Sequence, residues 1–254
     1  MGPRGILFDL YGTLFVYGDM VHAWSDWLED LQEALGACGV RTSREALGIE
    51  CDGFFSGTVS PLSSLTVYET RLYLLAERLG GTPRVEWSQR TATSTLTRWQ
   101  AQISVDPASL PVLKELRNQG IRTGVLTNFD HPPHVRGILD FSELSPWLDA
   151  VIISGECGLK KPDPAIFRLA LSSLGTSPKW TWFVGDHPQQ DSAGAHLSGL
   201  HAILLQREPS GLDRLHTNYR SNLTRGSEED VPQENTMVAT SMEEALTLFL
   251  NDSD

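Results

Sequence analysis

Five short apolar runs constrain this chain more than any other feature: GILFD (5–9), RTGVLTN (122–128), DAVIIS (149–154), TWFVGD (181–186) and HAILL (201–205). Apolar runs without polar alternation are what strands buried on both faces look like, and such strands pair in parallel. Between most of them lie segments with helical spacing. In PASLPVLKELRNQG (107–120), Leu110, Leu113 and Leu116 recur at three-residue steps, and Gly120 supplies a stop signal; PDPAIFRLALSSLG (162–175) repeats the design. Strand and helix in alternation predict an α/β fold, a doubly wound parallel sheet with helices on both faces.

One region breaks the rhythm. From about Phe15 to about Ser104 the patterns are helical, with no convincing strand: HAWSDWLEDLQEALGACG (22–39), LTVYETRLYLLAERLGG (65–81) and QRTATSTLTRWQAQ (89–102). The expected organisation is a core domain of residues 1–15 and 105–254 with a mostly helical domain, 16–104, inserted after the first strand. Its position suggests a cap over the C-terminal edge of the sheet, where open α/β sheets bind ligands. Trp24, Trp27 and Trp99 are expected to pack the helical interior of this insert. Residues 207–235 read as a long polar surface loop, in which the glycosylation sequon at Asn222 is an accidental match. The segment 236–250 then reads as a last strand and an amphipathic helix with Ser241 as N-cap.

Composition narrows the partners. The formal net charge is −12 and no Lys/Arg stripe offsets it, so nucleic acid is not an expected partner. A small anionic substrate needs a local cation instead. The three cysteines are far apart and odd in number, which speaks for thiols rather than a disulfide framework. No apolar run approaches the roughly 20 residues of a membrane helix, and the first residues lack a signal-peptide layout. A cytoplasmic protein without membrane association is expected, and no sequence feature bears on its oligomeric state.

If the strands are parallel, their C-terminal ends share one edge. At those ends stand Asp9, Thr127 with Asn128, and Asp186, while Lys161 lies in the loop beyond 149–154. One polar residue at a strand end is an ordinary helix cap; four such positions in order are harder to dismiss. DLYGTL, LTN, KKPDP and GDHPQQDSAGA resemble, in order and spacing, the four motifs of the haloacid dehalogenase-like (HAD) hydrolase superfamily. The resemblance covers the core, and the insert is similar to the family's helical cap only in position and character.

The resemblance implies roles that suit the residue types. Asp9 would be a nucleophile forming a covalent intermediate that water later hydrolyses. Gly12 permits a sharp turn whose N–H groups can hold an anion, with Asn128 also on the substrate side. Thr127 would offer a hydroxyl to a transferring group's oxygen, and Lys161 a fixed positive charge. Asp186 would bind Mg²⁺ together with the Asp9 carboxylate and the backbone carbonyl of Tyr11. Asp191 would orient Lys161 or a metal-bound water, whereas Lys160 and His187 read as surface residues. Phe129 and Asp130, directly after the second motif, are candidates for specificity only.

Tyr11 divides the possible chemistries. Most phosphatases of the superfamily carry an aspartate there as general acid, and a tyrosine, with an ordinary pKa of about 10, is a poorer acid at neutral pH. DxYGT resembles the 2-haloacid dehalogenases, whose halide needs no proton. The fourth motif points the other way, because those enzymes have serine and asparagine where this chain has GDHPQQD, and a tyrosine where it has Phe167. Their cap arginine has no assured counterpart, although Arg41 and Arg44 are available. The expectation is a Mg²⁺-dependent phosphatase of a small phosphorylated metabolite, with an aspartyl-phosphate on Asp9. A metal-independent dehalogenase with an ester on Asp9 is the alternative, and a catalytically weak ligand-binding protein a further one.

Overall fold

Each of the five apolar runs forms a strand, and all five join one parallel sheet. The computed structural model describes residues 4–51, 53–55, 57–207 and 236–251. In chain order it begins with β1 (Gly5–Phe8), β2 (Phe15–Tyr17), α1 (Met20–Ala37), α2 (Arg44–Glu50), α3 (Val67–Arg78) and α4 (Val85–Gln100). Next come β3 (Ile103–Val105), α5 (Ser109–Asn118), β4 (Arg122–Thr127), α6 (Pro132–Phe141), β5 (Ala150–Ile153) and α7 (Ser154–Cys157). The chain continues with α8 (Pro164–Leu174), β6 (Thr181–Gly185), α9 (Gly194–Leu197), β7 (His201–Leu205), β8 (Met237–Ala239) and α10 (Met242–Asn251). The polar loop expected at 207–235 lies outside the described residues apart from Arg207, and so does Asn222.

The six-stranded sheet runs β5-β4-β1-β6-β7-β8, with every described pairing parallel. From β1 the chain winds outward through β4 to β5, then crosses back to β6 and winds the other way. The direction of winding therefore reverses between β1 and β6, and ligands bind outside the strand ends at such a switch point. Phe8 is in register with Val184, and the Asp9 N–H donates to the Val184 carbonyl at 2.8 Å. That register puts Asp9, one residue past β1, beside Asp186, one residue past β6.

The helices obey their local signals. In α8 the Asp163 side chain caps the Ala165 N–H at 2.8 Å, Pro164 takes the first turn, and Gly175 ends the helix at φ 68°. Its buried face, Ile166, Phe167, Ala170, Leu171 and Leu174, packs with Leu7, Leu126 and Phe183 of the sheet in one apolar cluster. Ser241 caps the last helix, accepting from the Glu244 N–H at 3.2 Å.

Among the described residues, Tyr17–Ser104 cluster as one compact unit and the remainder as another. The expectation of no strand between Phe15 and Ser104 is corrected by β2 and β3, which pair as a two-stranded ribbon. Strands of three residues are too short to show a period of two. Within the helical unit Trp27 stacks on Trp24 at 4.8 Å and donates through Nε1 to the Tyr68 hydroxyl at 2.8 Å. Tyr68 also pairs with the Thr95 hydroxyl at 2.8 Å, so a buried polar chain joins α1, α3 and α4. Trp99 is buried as well. Truncating Tyr68→Phe leaves the Trp27 N–H without its acceptor, and a buried unpaired donor costs about 1–3 kcal/mol. Urea denaturation should show a stability loss of that size; an unchanged midpoint would mean that the pairing carries no weight.

Candidate active site

The site begins where β1 runs out. Strand β1 is buried on both faces, so its first polar residue, Asp9, emerges at the sheet edge while still only 9% exposed. Its Oδ1 accepts from Lys161 Nζ at 2.7 Å, and the same ammonium reaches Asp191 Oδ1 at 2.6 Å. The Lys161 side chain is 2% exposed. A lysine so deep would ordinarily lose its proton, but the Asp191 and Asp9 carboxylates outweigh the burial, and its pKa stays above the usual value. Burial pushes the Asp9 carboxyl up to about 6; Lys161 pulls it down, and the Asp191 charge adds to the rise.

Backbone clamps hold Lys161 in place. Asn128, just past β4, accepts through Oδ1 from the Lys161 N–H at 2.8 Å and donates through Nδ2 to the Lys161 carbonyl at 3.0 Å. The same Nδ2 donates to Gln190 Oε1 at 2.9 Å, which ties the second and fourth motifs together. Asp191 sits in a wide helical turn, Pro188–Ala193, and its Oδ2 accepts from the His187 N–H at 2.9 Å. A Cβ on Gly185 would lie 2.3 Å from that Oδ2, so only glycine lets the Asp191 carboxylate close over the end of β6. Thr127 is buried at the tip of β4, two places past Val125, which is in register with Phe8.

Gly12 takes φ 83°, and a Cβ there would lie 2.2 Å from Asp186 Oδ2. The turn after Asp9 is thus packed directly against the Asp186 carboxylate. Asp9, Asp186 and Asp191 offer oxygen atoms all within 4.8 Å of one another. Three carboxylates against one ammonium leave two negative charges to balance, and hard oxygen donors are what Mg²⁺ takes. Lys161 and the His187 N–H engage both Asp191 oxygens, whereas Lys161 takes only Oδ1 of Asp9. The donor set therefore fits a divalent cation through Asp9 and Asp186, with Asp191 turned toward Lys161.

Tyr11 is drawn aside. Its hydroxyl pairs with His134 Nε2 at 3.1 Å, and its ring lies 5.3 Å from Phe129 and 6.1 Å from Phe15. Burial raises the phenol pKa well beyond its ordinary value. Burial also pushes His134 down to about 4, helped by neighbouring His131, so both partners are uncharged at neutral pH. Lys160 is not simply solvated: its Nζ reaches Asp130 Oδ1 at 2.9 Å, and Asp130 is buried. His187 caps the turn that follows it, with Nδ1 accepting from the Gln189 and Gln190 N–H groups at 3.3 Å. Phe167 is fully buried against Phe183 at 5.4 Å, and Arg44 pairs with Glu29 on an exposed face. His134, Gln190 and Arg207, whose guanidinium donates to the Gly12 carbonyl, join the site without having been anticipated.

A family model described as haloacid dehalogenase-like hydrolase matches residues 3–199, and a second, HAD-hydrolase-like, matches residues 158–245. The chain belongs to the haloacid dehalogenase-like hydrolase family. Among HAD relatives, a phosphoserine phosphatase of Thermus thermophilus is 35% identical over 131 residues, 52% of this chain and 51% of that protein. The chain thus spans about half the length of that curated relative. A phosphoglycolate phosphatase of Rhodospirillum rubrum is 29% identical over 220 residues, covering 82% of this chain and 83% of its own. A solved 2-haloacid dehalogenase of Pseudomonas syringae pv. Tomato superposes with a TM-score of 0.63 over 99% of this chain and 100% of its own, at 19% identity. That likeness is one of fold alone. No helix among the described residues is long and apolar enough to cross a membrane.

The raised Asp9 pKa has a thermodynamic sign. Between the unfolded value of 3.8 and about 6 the folded chain binds the extra proton, so this stabilisation is full below the lower value and lost as pH rises through the upper one. With metal chelated, the melting temperature of Asp9→Asn relative to the wild type should be higher at pH 8 than at pH 5, because only the wild type carries the titrating carboxyl. Thermal melts at the two pH values check this, and a relative melting temperature that rises on acidification contradicts the assignment.

Proposed function

We propose that this protein is a divalent-metal-assisted phosphatase of small phosphorylated metabolites, working through a covalent intermediate on Asp9. The observation that carries the reading is the carboxylate cluster, with Asp9 joined to Asp191 through a buried Lys161 and Asp186 packed against the turn that follows Asp9. The phosphatase names of the curated relatives support it. The helical unit Tyr17–Ser104, inserted between β1 and α5, is assigned the part of a substrate-selecting cap.

In this reading an Asp9 oxygen attacks phosphorus, a phosphorus–oxygen bond to Asp9 forms, and the ester oxygen leaves with the bonding electron pair. Water then attacks the phosphorus, releasing phosphate and restoring the carboxylate. Asp9, Asp186 and the Tyr11 carbonyl would hold Mg²⁺, which when bound would neutralise charge on the phosphoryl oxygens. Lys161 keeps Asp9 in place and adds a fixed cation, with Asp191 holding that cation in turn. Thr127 stands at the same strand edge as a partner for phosphoryl oxygens, whereas the Asn128 side chain, expected on the substrate side, is taken up by Lys161 and Gln190. Tyr11 has no readily released proton, because burial makes its phenol a weaker acid and His134 occupies its hydroxyl. Expulsion of the leaving group then depends on that group's own stability, which favours acyl and aryl phosphates over alkyl ones.

Tyr11 is also the observation that favours a second reading, halide displacement from a 2-haloacid. The first motif agrees with it, whereas Asp186 beside the nucleophile does not, since a cation there would blunt a carboxylate attacking carbon.

Phosphate release from a panel of esters should require Mg²⁺, stop with a chelator and fall by about a thousandfold or more in Asp9→Asn. The logarithm of kcat should decline steeply as leaving-group pKa rises, and a flat plot would mean that another acid serves. Tyr11→Asp should flatten the plot and raise turnover of alkyl phosphates. Halide release from a 2-haloacid that ignores chelation would overturn the phosphatase reading.

A further inference from the structure

We infer that Arg207 is a positioning residue for the divalent-metal cradle, holding the turn after Asp9 in the one place that lets it pack on Asp186. The inference rests on the metal-assisted reading above. Arg207 follows β7, well past the last of the four motifs in sequence. Its Nη1 donates to the Gly12 carbonyl at 2.8 Å and its Nη2 to the Thr13 carbonyl at 3.0 Å. Nη2 also pairs with the carboxylate of Asp106, the first residue after β3. Asp106 is itself fixed, its N–H donating to the Leu14 carbonyl at 2.9 Å and its Oδ1 accepting from the Ala108 N–H at 2.7 Å.

One guanidinium thus satisfies two consecutive carbonyls of the first-motif turn, whose residues are buried and cannot turn to water instead. On its other side the turn has no slack. Gly12 donates its N–H to the Phe15 carbonyl at 2.7 Å, and Asp186 fills the space where a Cβ would stand. Clamped between Arg207 and Asp186, the turn sets the position of the Tyr11 carbonyl relative to the two carboxylates that would hold the ion. A planar fork with several fixed donors can hold two carbonyls and a carboxylate at once; a lysine head cannot do so in the same geometry. The Arg207 charge also lies within electrostatic reach of Asp186, which Lys would preserve while losing the fork.

The test is Mn²⁺ binding by calorimetry on the resting full-length chain, with no substrate present, for wild type, Arg207→Met and Arg207→Lys, each matched for folding by circular dichroism. Groups behind the metal ligands typically alter affinity by 10- to 100-fold, so Arg207→Met should bind Mn²⁺ at least about 10-fold more weakly. Arg207→Lys should recover only part of the loss, and kcat on an aryl phosphate should fall in the same order. A merely structural role would lower the melting temperature and leave the affinity of the folded protein unchanged. Should Arg207→Met fail to fold, Arg207→Lys alone decides. Wild-type affinity in a folded variant overturns the positioning role and leaves the metal reading standing; a wild-type chain that binds no Mn²⁺ overturns both.

Discussion

A lysine ammonium shut away from water between two carboxylates is the interaction on which the rest of this site depends. An ion so buried is strongly penalised unless paired and hydrogen-bonded, and Lys161 meets the condition twice, at 2.7 Å from Asp9 and 2.6 Å from Asp191. Meeting it needs three distant parts of the chain at one point. The tip of β1 brings Asp9, the turn beyond β6 brings Asp191, and Asn128 beyond β4 pins the lysine backbone on both its N–H and its carbonyl. A parallel sheet supplies that convergence without further machinery, because every strand delivers its last residue to the same edge. Its winding reverses between β1 and β6, so the first residues past those two strands stand side by side.

Glycines decide how close the charges come. Without a Cβ at Gly185 the Asp191 carboxylate can fold back over the end of its strand, and without one at Gly12 the Asp186 carboxylate can press against the turn beyond Asp9. Both approaches pack negative charge together, which is unfavourable in itself. Lys161 offsets part of that repulsion, and in the proposed function a bound cation would offset the remainder. The electrostatic strain and the function proposed here are two descriptions of one arrangement.

The sheet was legible because its strands are buried on both faces: GILFD, RTGVL, AVII, TWFVG and HAILL carry almost nothing but apolar residues up to their polar ends. The convergence of the candidate residues was legible for the same reason, since Asp9, Thr127 and Asp186 are the residues at which those runs stop. What stayed hidden follows a different logic. The ribbon of β2 and β3 has three residues per strand, too few for a pattern. His134 lies at the start of α6 with no local signal that it pairs with Tyr11. Arg207 is a lone arginine following an apolar strand, and nothing local marks it as the partner of carbonyls nearly two hundred positions earlier. Lys160 reads as a surface lysine until the fold brings the buried Asp130 to it.

Tyr11 shows how one residue can separate binding from chemistry. In the proposed reading the metal contact would be made by its backbone carbonyl, which an aspartate has too, so exchanging an acid for a phenol would not by itself remove a donor. Its hydroxyl is another matter: paired with His134 and boxed in by Phe129 and Phe15, it is held by contacts that a small carboxylate at this position could not make. The aromatic ring and its histidine partner therefore form a consistent local unit. If the chain lacks a general acid, the barrier for poor leaving groups rises while that for good ones hardly moves. Selectivity among phosphate esters then follows from the bond being broken, before any contact with the rest of the substrate is considered.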